Sequence, residues 1–261
     1  MLHSRQPDGL ICITQNHHAW ISGQLAQVWG NEIFGEFAPV REVCLAAEQH
    51  DIGWLNWEQN PTLNPQTGYP YRFSELPTAV HLEIWTSAKH LAAQFGRYVA
   101  LLISLHGTRL YDRYRSWEKS PEASRLVQGF FQQESAFQAE MLASLTDDEF
   151  YAIDSQLEII QRNQKLIRVW DGLSILFCEG FVGEQKIQEV PSFQGETSIK
   201  LTKTETKPNE VKISPWCFQQ SEISLVMEGK LLQEKFTDET AMREALKSAK
   251  SVTRQLTLKP N

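Results

Sequence analysis

The hydrophobic periodicity of the chain changes near residue 185, and this change restricts the folds that the sequence can adopt. Before it, apolar side chains recur every three or four residues over long stretches such as 97–115 and 121–145, which predicts amphipathic helices. After it, short alternating runs rich in Ile, Val and Thr predict strands. We therefore expect a mostly α protein, a helical bundle followed by a small antiparallel α+β subdomain.

The same change predicts two domains. Residues 1–184 are expected to form the helical domain, and residues 185–261 a β-rich subdomain with one helix. The segment 56–80 contains four prolines and is expected to be a long irregular loop inside the first domain. In the second domain, Glu228-Gly229-Lys230 predicts a hairpin turn.

Composition excludes several classes of protein. The chain has 261 residues, of which 41% are hydrophobic, so neither a disordered nor a fibrous protein is expected. A net charge of −7 does not favour binding to a nucleic acid polymer. No apolar run suggests a membrane span or a secretory signal, and we expect a cytoplasmic protein. A small molecule is the expected partner, and self-association into a homo-oligomer is left open.

The residues best suited to chemistry are histidines and aspartates on otherwise apolar helix faces. His50 and Asp51 end the apolar helix of 39–50, and a neutral imidazole beside a carboxylate can ligate a divalent cation. His18, His106 and Asp171 occupy similar positions on other predicted helices. A buried carboxylate on an apolar face is costly unless it is paired or metal-bound.

Each of these residues alone also has a simpler interpretation. Asp171 could form an ion pair with Arg162 or Arg168, and His106 could be an ordinary core histidine. His18 could lie at the surface, and the His50-Asp51 pair could simply end a helix. Together, a shared metal site explains them better than several separate coincidences.

The order of these residues resembles the HD-domain metal-dependent phosphohydrolase superfamily. HHAWISGQLAQVW, which contains His18, is similar to its opening helix, and HDIGW, which contains His50 and Asp51, to its second metal motif. VWDGLSILFC, which contains Asp171, is similar to its final helix. The likeness covers about 170 residues of the helical part. The wider pattern also resembles an uncharacterised bacterial family of unknown function in or near that superfamily.

The resemblance implies a set of metal ligands. His18, His50, Asp51 and Asp171 would bind a divalent metal such as Mn, Mg, Fe, Ni or Co. His81 and His106 fit the two extra histidines of members that bind two ions. The metal would activate a water, Asp51 would orient it, and His81 or His106 would complete the second metal site or protonate the leaving oxygen.

Substrate contacts are expected from the aromatic and charged residues near the His-Asp pair. Flat groups could rest on aromatic side chains, phosphate could meet an arginine, and an acid could support the site. The candidates are Trp54, Trp57, Glu58, Arg72 and Arg109, with Arg113 one turn beyond the last.

Three functions are compatible with this pattern. The first is a metal-dependent hydrolase of phosphate esters, acting on a nucleotide or a small phosphorylated metabolite. The second is a di-iron oxygenase. Its ligands would be the six candidates named above, His18, His50, Asp51, His81, His106 and Asp171. The third is a non-enzymatic binding or sensor module that uses the C-terminal sheet as its partner surface.

Overall fold

A computed structural model describes all residues, 1–261, and contains eight α-helices and nine strands. The helices are α1 (Gln15–Gln27), α2 (Val40–Gln49), α3 (Leu55–Gln59), α4 (Thr78–Ala92), α5 (Arg97–Arg113), α6 (Pro121–Thr146), α7 (Leu157–Glu179) and α8 (Glu239–Ser248). The strands are β1 (Leu2–Gln6), β2 (Gly9–Ile13), β3 (Leu63–Asn64), β4 (Tyr69–Pro70), β5 (Gly183–Ser192), β6 (Gly195–Lys203), β7 (Glu210–Ser214), β8 (Ile223–Leu232) and β9 (Ser251–Pro260).

The sheet corrects the expectation of a mostly α protein with a small C-terminal antiparallel sheet. Seven strands form one sheet in the order β1-β2-β8-β9-β7-β6-β5, and β7 and β9 pair in parallel, so the sheet is mixed. About half of the residues lie in helices. A second sheet consists of β3 and β4 alone, within the segment expected to be irregular.

The sheet is larger than expected because the N-terminus contributes two strands. β1 and β2 form a hairpin, and β2 pairs with β8, with Leu10 opposite Leu232. Strands of five residues carry too little alternation to be recognised next to the helical segments that follow. A pairing between residues this far apart in the chain is set by the tertiary fold and has no local signal.

The hairpin turn predicted at Gly229 is also wrong. β8 runs straight through this residue and pairs with β9 on both sides of it. A Cβ at position 229 would lie 2.5 Å from Ile11 Cγ2, so glycine is required by the close approach of β2 and not by a turn.

One hydrophobic core joins the helices to the sheet. Its 48 buried residues include Trp29 just after α1, Trp170 of α7, and Leu201 and Leu225 of the sheet. The predicted division of the chain at residue 184 stays a prediction. None of the helices combines the length and the apolar character that crossing a membrane requires.

Candidate metal centre

Four helices bring five of the predicted residues together in the interior. α1 carries His18, the end of α2 carries His50 and Asp51, α5 carries His106, and α7 carries Asp171. All five are buried, and His18 and His50 are completely inaccessible to solvent. We refer to these five residues as the His-Asp cluster.

His18 is positioned by the start of α1 and by α7. The side chain of Thr14 caps α1 by accepting from the amide of His17, and His18 lies on the buried face of the helix. The Nδ1 atom of His18 lies 2.8 Å from Ser174 Oγ, and its Nε2 atom lies 2.6 Å from Asp51 Oδ2. Ser22 Oγ donates to Ser174 Oγ over 2.9 Å and supports this arrangement.

The tautomer of His50 follows from a single hydrogen bond. Nδ1 donates to the carbonyl oxygen of Ala47 over 2.8 Å, and because a carbonyl only accepts, the proton of a neutral ring is on Nδ1. The Nε2 atom is buried and has no hydrogen-bond partner. It lies 3.6 Å from Asp51 Oδ2 and 3.5 Å from Asp171 Oδ1. In the neutral ring, a nitrogen lone pair therefore faces two carboxylates, and in the protonated ring Nε2 carries the charge that balances them.

Asp171 lies between two histidines. Its Oδ1 atom faces His50, and its Oδ2 atom lies 3.7 Å from His106 Nε2. The ion pairs considered for Asp171 alone are not formed. Arg162 donates to the carbonyl oxygen of Phe34, and Arg168 donates to carbonyl oxygens of the 188–189 segment.

Two glycines next to the cluster allow the helices to approach. A Cβ on Gly53, in the HDIGW motif, would overlap the carbonyl oxygen of Ile84 in α4. A Cβ on Gly107, beside His106, would lie 2.7 Å from the ring of Trp85 in α4. Both motifs therefore combine chemical residues with a glycine that is required for packing.

The electrostatics of the cluster favour positive charge. Burial opposes protonation of His50, but the carboxylates of Asp51 and Asp171 outweigh it and raise the pKa of His50 to about 9. Burial would raise the pKa of Asp171, but its interaction with His50 and the charges of His106 and His18 lower it to about 2. Burial lowers the pKa of His106 to about 4. The two buried carboxylates are therefore stabilised by a nearby positive charge, which either a protonated histidine or a metal ion can supply.

The residues of the cluster could hold a metal ion. Ligand atoms lie within 4.8 Å of one another in two groups, His18-His50-Asp51 and His50-His106-Asp171. Atoms that bind one cation at about 2.1 Å are separated by about 3–3.6 Å when the angle between the bonds is 90–120°. The contacts of His50 with the two carboxylates match this separation, and imidazole with carboxylate is a common donor set for divalent metals.

Three residues of the cluster, Asp51, His106 and Asp171, line a cavity of about 930 Å³, whereas His18 and His50 do not reach it. Asp51 and Asp171 are the only carboxylates among its lining residues, and His106 also reaches it. Its aromatic lining residues are Trp54, Phe73, Trp85, Tyr111, Tyr114 and Trp117. We refer to this space as the site cavity.

His81 lines the site cavity but lies outside both ligand groups. Its Nδ1 atom is hydrogen-bonded to the hydroxyl of Tyr111, and its Nε2 atom accepts from Trp85 Nε1 over 3.3 Å. Burial lowers the pKa of His81 to about 4. Both ring nitrogens are thus engaged in the cavity wall.

The predicted substrate contacts divide into two sets. Trp54 and Arg109 line the site cavity. Trp57 does not, and it packs edge-on against Trp54 with 5.7 Å between ring centroids. Glu58 is held away from the cavity because its carboxylate accepts from the amide of Gln15 over 2.8 Å.

Arg72 also lies elsewhere. Its guanidinium makes a forked contact with the carboxylate of Glu179, with nitrogen–oxygen distances of 2.6 and 2.8 Å. It lines a separate cavity of about 730 Å³ between α7 and the sheet. The arginine predicted for the loop 56–80 therefore ties this loop to the end of α7.

Sequence reasoning missed several residues around the cluster. Ser22 and Ser174 hold His18, and their helical spacing from His18 and Asp171 was the available signal. Arg168 lines the cavity one turn before Asp171, at a spacing that also places it on the same face of α7. Lys186 reaches the cavity from β5 and has no signal in the sequence, since only the fold brings that strand against α7.

A family model covers most of the chain. The model that describes a protein of unknown function, DUF3891, matches residues 1–234. The chain belongs to the DUF3891 family. The expectation of an uncharacterised family is thus confirmed, whereas membership of the HD-domain superfamily stays a prediction. No match was found among curated proteins or among solved structures.

Proposed function

We propose that this protein is a metal-dependent hydrolase that removes or cleaves a phosphate ester of a small molecule. The observation that carries the proposal is the buried Nε2 atom of His50, which has no hydrogen-bond partner and lies 3.6 Å from Asp51 Oδ2 and 3.5 Å from Asp171 Oδ1. A divalent cation can take the place of the proton that would otherwise balance these two carboxylates. The resemblance of the motifs to the HD-domain phosphohydrolases supports the same reaction.

His18, His50, Asp51 and Asp171 would hold the cation, and His106 would complete the set. A bound divalent cation makes a water acidic and offsets negative charge on phosphoryl oxygens. Imidazole-rich ligand sets favour Mn, Fe, Co or Ni over Mg, which prefers oxygen ligands.

Other residues of the cavity would bind and orient the substrate. Asp51 is fixed by His18 through Oδ2 and lines the cavity, where it can orient the attacking water. His81 holds the hydroxyl of Tyr111 at the wall, where it can donate to the leaving oxygen. Trp54, although almost fully buried, adds to the apolar lining, and Arg109 offers a positive charge for phosphate.

The geometry gives less support to the di-iron oxygenase. That reaction requires His81 as a sixth ligand, and the ring nitrogens of His81 are bonded to Tyr111 and Trp85. A binding module without turnover would use the same cavity, and the experiment below separates it from an enzyme.

The test starts with elemental analysis of the full-length protein purified without chelator. The protein is then assayed with Mn, Mg, Co, Ni and Fe against a panel of phosphomonoesters and phosphodiesters. We expect bound metal and metal-dependent release of phosphate or alcohol, and both should be lost in Asp171→Asn. Asp147→Asn, which changes an exposed carboxylate at the end of α6, is the matched control.

Two results would contradict the proposal. The first is bound metal with no turnover of any phosphate ester, which indicates a binding module. The second is iron at two ions per chain with consumption of oxygen, which indicates the oxygenase.

A further inference from the structure

The mouth of the site cavity is basic although the protein is acidic. Arg109 and Arg113 reach it from α5, Arg168 from α7 and Lys186 from β5. We refer to these four residues as the basic rim. Three separate elements contribute to it, so it is not the charged face of a single helix.

A strained residue holds two members of the rim together. Glu189 has φ of +55° and lies at a bulge in β5, where the register with β6 shifts between Ile187 and Val190. Its carboxylate lies 2.9 Å from Arg113 Nη1 and 3.6 Å from Arg168 Nη2. A left-handed backbone costs a non-glycine residue of order 1 kcal/mol, and such residues concentrate at functional sites.

The bulge also fixes Arg168 through the backbone. Its Nη2 atom donates to the carbonyl oxygens of Gln188 and Glu189, over 2.9 and 2.8 Å. The guanidinium of Arg168 is thus oriented by two carbonyl acceptors and by the nearby Glu189 carboxylate, and its side chain is 15% exposed. A bulge that aims a side chain in this way is a common feature beside binding sites.

The rim has more positive than negative charge. Arg113 and Arg168 share Glu189, Arg109 pairs with Asp112 over 3.2 Å, and Lys186 has no carboxylate within 4 Å. Burial and then the charge of Arg113 lower the pKa of Arg168, although the charge of Glu189 opposes them. An anion would relieve this repulsion.

The rim is separated from the His-Asp cluster along the helices. Arg113 is seven residues beyond His106 on α5, which corresponds to about 10 Å along the helix axis. Arg168 is three residues before Asp171 on α7, or about 4.5 Å. The backbone of Arg113 therefore lies about two helical turns from His106, and Glu189 lies within 4 Å of the guanidinium groups of both Arg113 and Arg168.

We propose that Arg113 and Arg168 of the basic rim form a binding site for a second anionic group of the substrate. The substrate class is then a small molecule with a reacting phosphate at one end and a phosphate or carboxylate at the other. Arg113 and Arg168 bind the distal group, and Glu189 is a positioning residue that holds them. This inference rests on the proposed hydrolase function for the identity of the reacting end.

The test uses a series of alkanediol α,ω-bisphosphates of increasing length, with the matching alkanediol monophosphates and ω-carboxyalkyl phosphates. Binding to metal-stripped protein is measured by isothermal titration calorimetry, and hydrolysis by the metal-loaded protein is measured separately. We expect the bisphosphate of best length to bind at least about tenfold tighter than the monophosphate, since charge-assisted hydrogen bonds are added. The carboxylate series identifies which distal group is preferred.

Variants assign the effect to the rim. In the double variant Arg113→Gln with Arg168→Gln, the preference for bisphosphate over monophosphate should fall about tenfold or more, mainly through KM. Glu189→Gln should change this preference less, because the backbone contacts of Arg168 remain. Arg115→Gln is the matched control, since it removes one exposed arginine outside the cavity.

The outcomes separate this inference from the proposed function. Equal binding of bisphosphates, carboxyalkyl phosphates and monophosphates, or a preference that survives in the double variant, overturns the role of the rim even if hydrolysis occurs. Rim-dependent binding without metal-dependent hydrolysis supports the anion site and contradicts the hydrolase. Circular dichroism of each variant excludes unfolding as the cause.

Discussion

The helical interior contains two buried polar clusters that differ in how completely their charged groups are hydrogen-bonded. In the first, Lys89 of α4 lies 2.5 Å from Glu134 Oε1 of α6, and Ser104 of α5 donates to Glu134 Oε2 over 2.6 Å. Every oxygen of that carboxylate thus has a donor. In the His-Asp cluster, by contrast, His50 Nε2 has no partner and faces two carboxylates.

The comparison shows how a structural charge pair differs from a candidate binding site. Both clusters are buried and join helices far apart in the sequence. A buried charge pair that is fully hydrogen-bonded has no need for a ligand. A cluster that leaves a buried nitrogen without a hydrogen-bond partner beside two carboxylates is completed by a cation. An unpartnered ligand atom next to two carboxylates, rather than burial of charge, distinguishes the candidate metal site from the Lys89–Glu134 pair.

The largest change in stability is expected from breaking the Lys89–Glu134 ion pair, in which both carboxylate oxygens have a donor. Glu134→Gln leaves Lys89 buried without its counter-charge, and we expect the free energy of unfolding to fall by about 3–5 kcal/mol. Urea unfolding followed by circular dichroism measures it. Glu140→Gln, an exposed change on the same helix, serves as the control. A loss similar to that of the control would show that the pair is not needed.

The His-Asp cluster should instead make the stability of the protein depend on metal. At a free metal concentration of one hundred times Kd, the metal should stabilise the protein by about 2.7 kcal/mol, and a chelator should reverse this. Asp171→Asn should abolish the gain, whereas Glu134→Gln should retain it from a lower starting stability. Thermal unfolding with and without Mn measures both. Equal stabilisation of the wild type and Asp171→Asn would place the metal elsewhere.

A smaller effect, on metal affinity, is expected from removing the hydroxyl group of Ser174 that supports His18. Ser174→Ala removes the hydroxyl that lies 2.8 Å from His18 Nδ1, so the orientation of the ring is less restricted. We expect metal affinity to fall about 10–100-fold, the usual cost of losing a group that orients a ligand. Titration calorimetry with Mn measures it, and Ser155→Ala, another buried serine, is the control. An unchanged affinity would remove Ser174 from the site.

The smallest change in stability is expected when both members of the Lys89–Glu134 pair are replaced together by apolar residues. In the double variant Lys89→Met with Glu134→Leu, no buried charge remains, so the free energy of unfolding should lie within about 1 kcal/mol of the wild type. The same urea unfolding experiment provides the comparison. A double variant as unstable as Glu134→Gln would mean that packing, not the unpaired charge, causes the loss.

Prediction from the sequence worked best for polar residues that lie on otherwise apolar helix faces. His18, His106 and Asp171 are polar residues on apolar faces, and this pattern is visible without a structure. It did not reveal that His81 bonds to Tyr111 and Trp85, since its position is equally compatible with a ligand. Nor did it place Arg72, whose partner Glu179 is more than one hundred residues away.

The sequence alone determined the helical segments and the polar residues that interrupt their apolar faces, because both depend on neighbours within two turns. Only the tertiary structure decided that β1 and β2 join the C-terminal strands, and that β5 brings Lys186 and Glu189 to the cavity mouth. Those arrangements depend on pairing and packing between distant segments, for which the chain carries no local pattern. The same holds for the lone pair of His50, which becomes informative only once Asp51 and Asp171 are seen beside it.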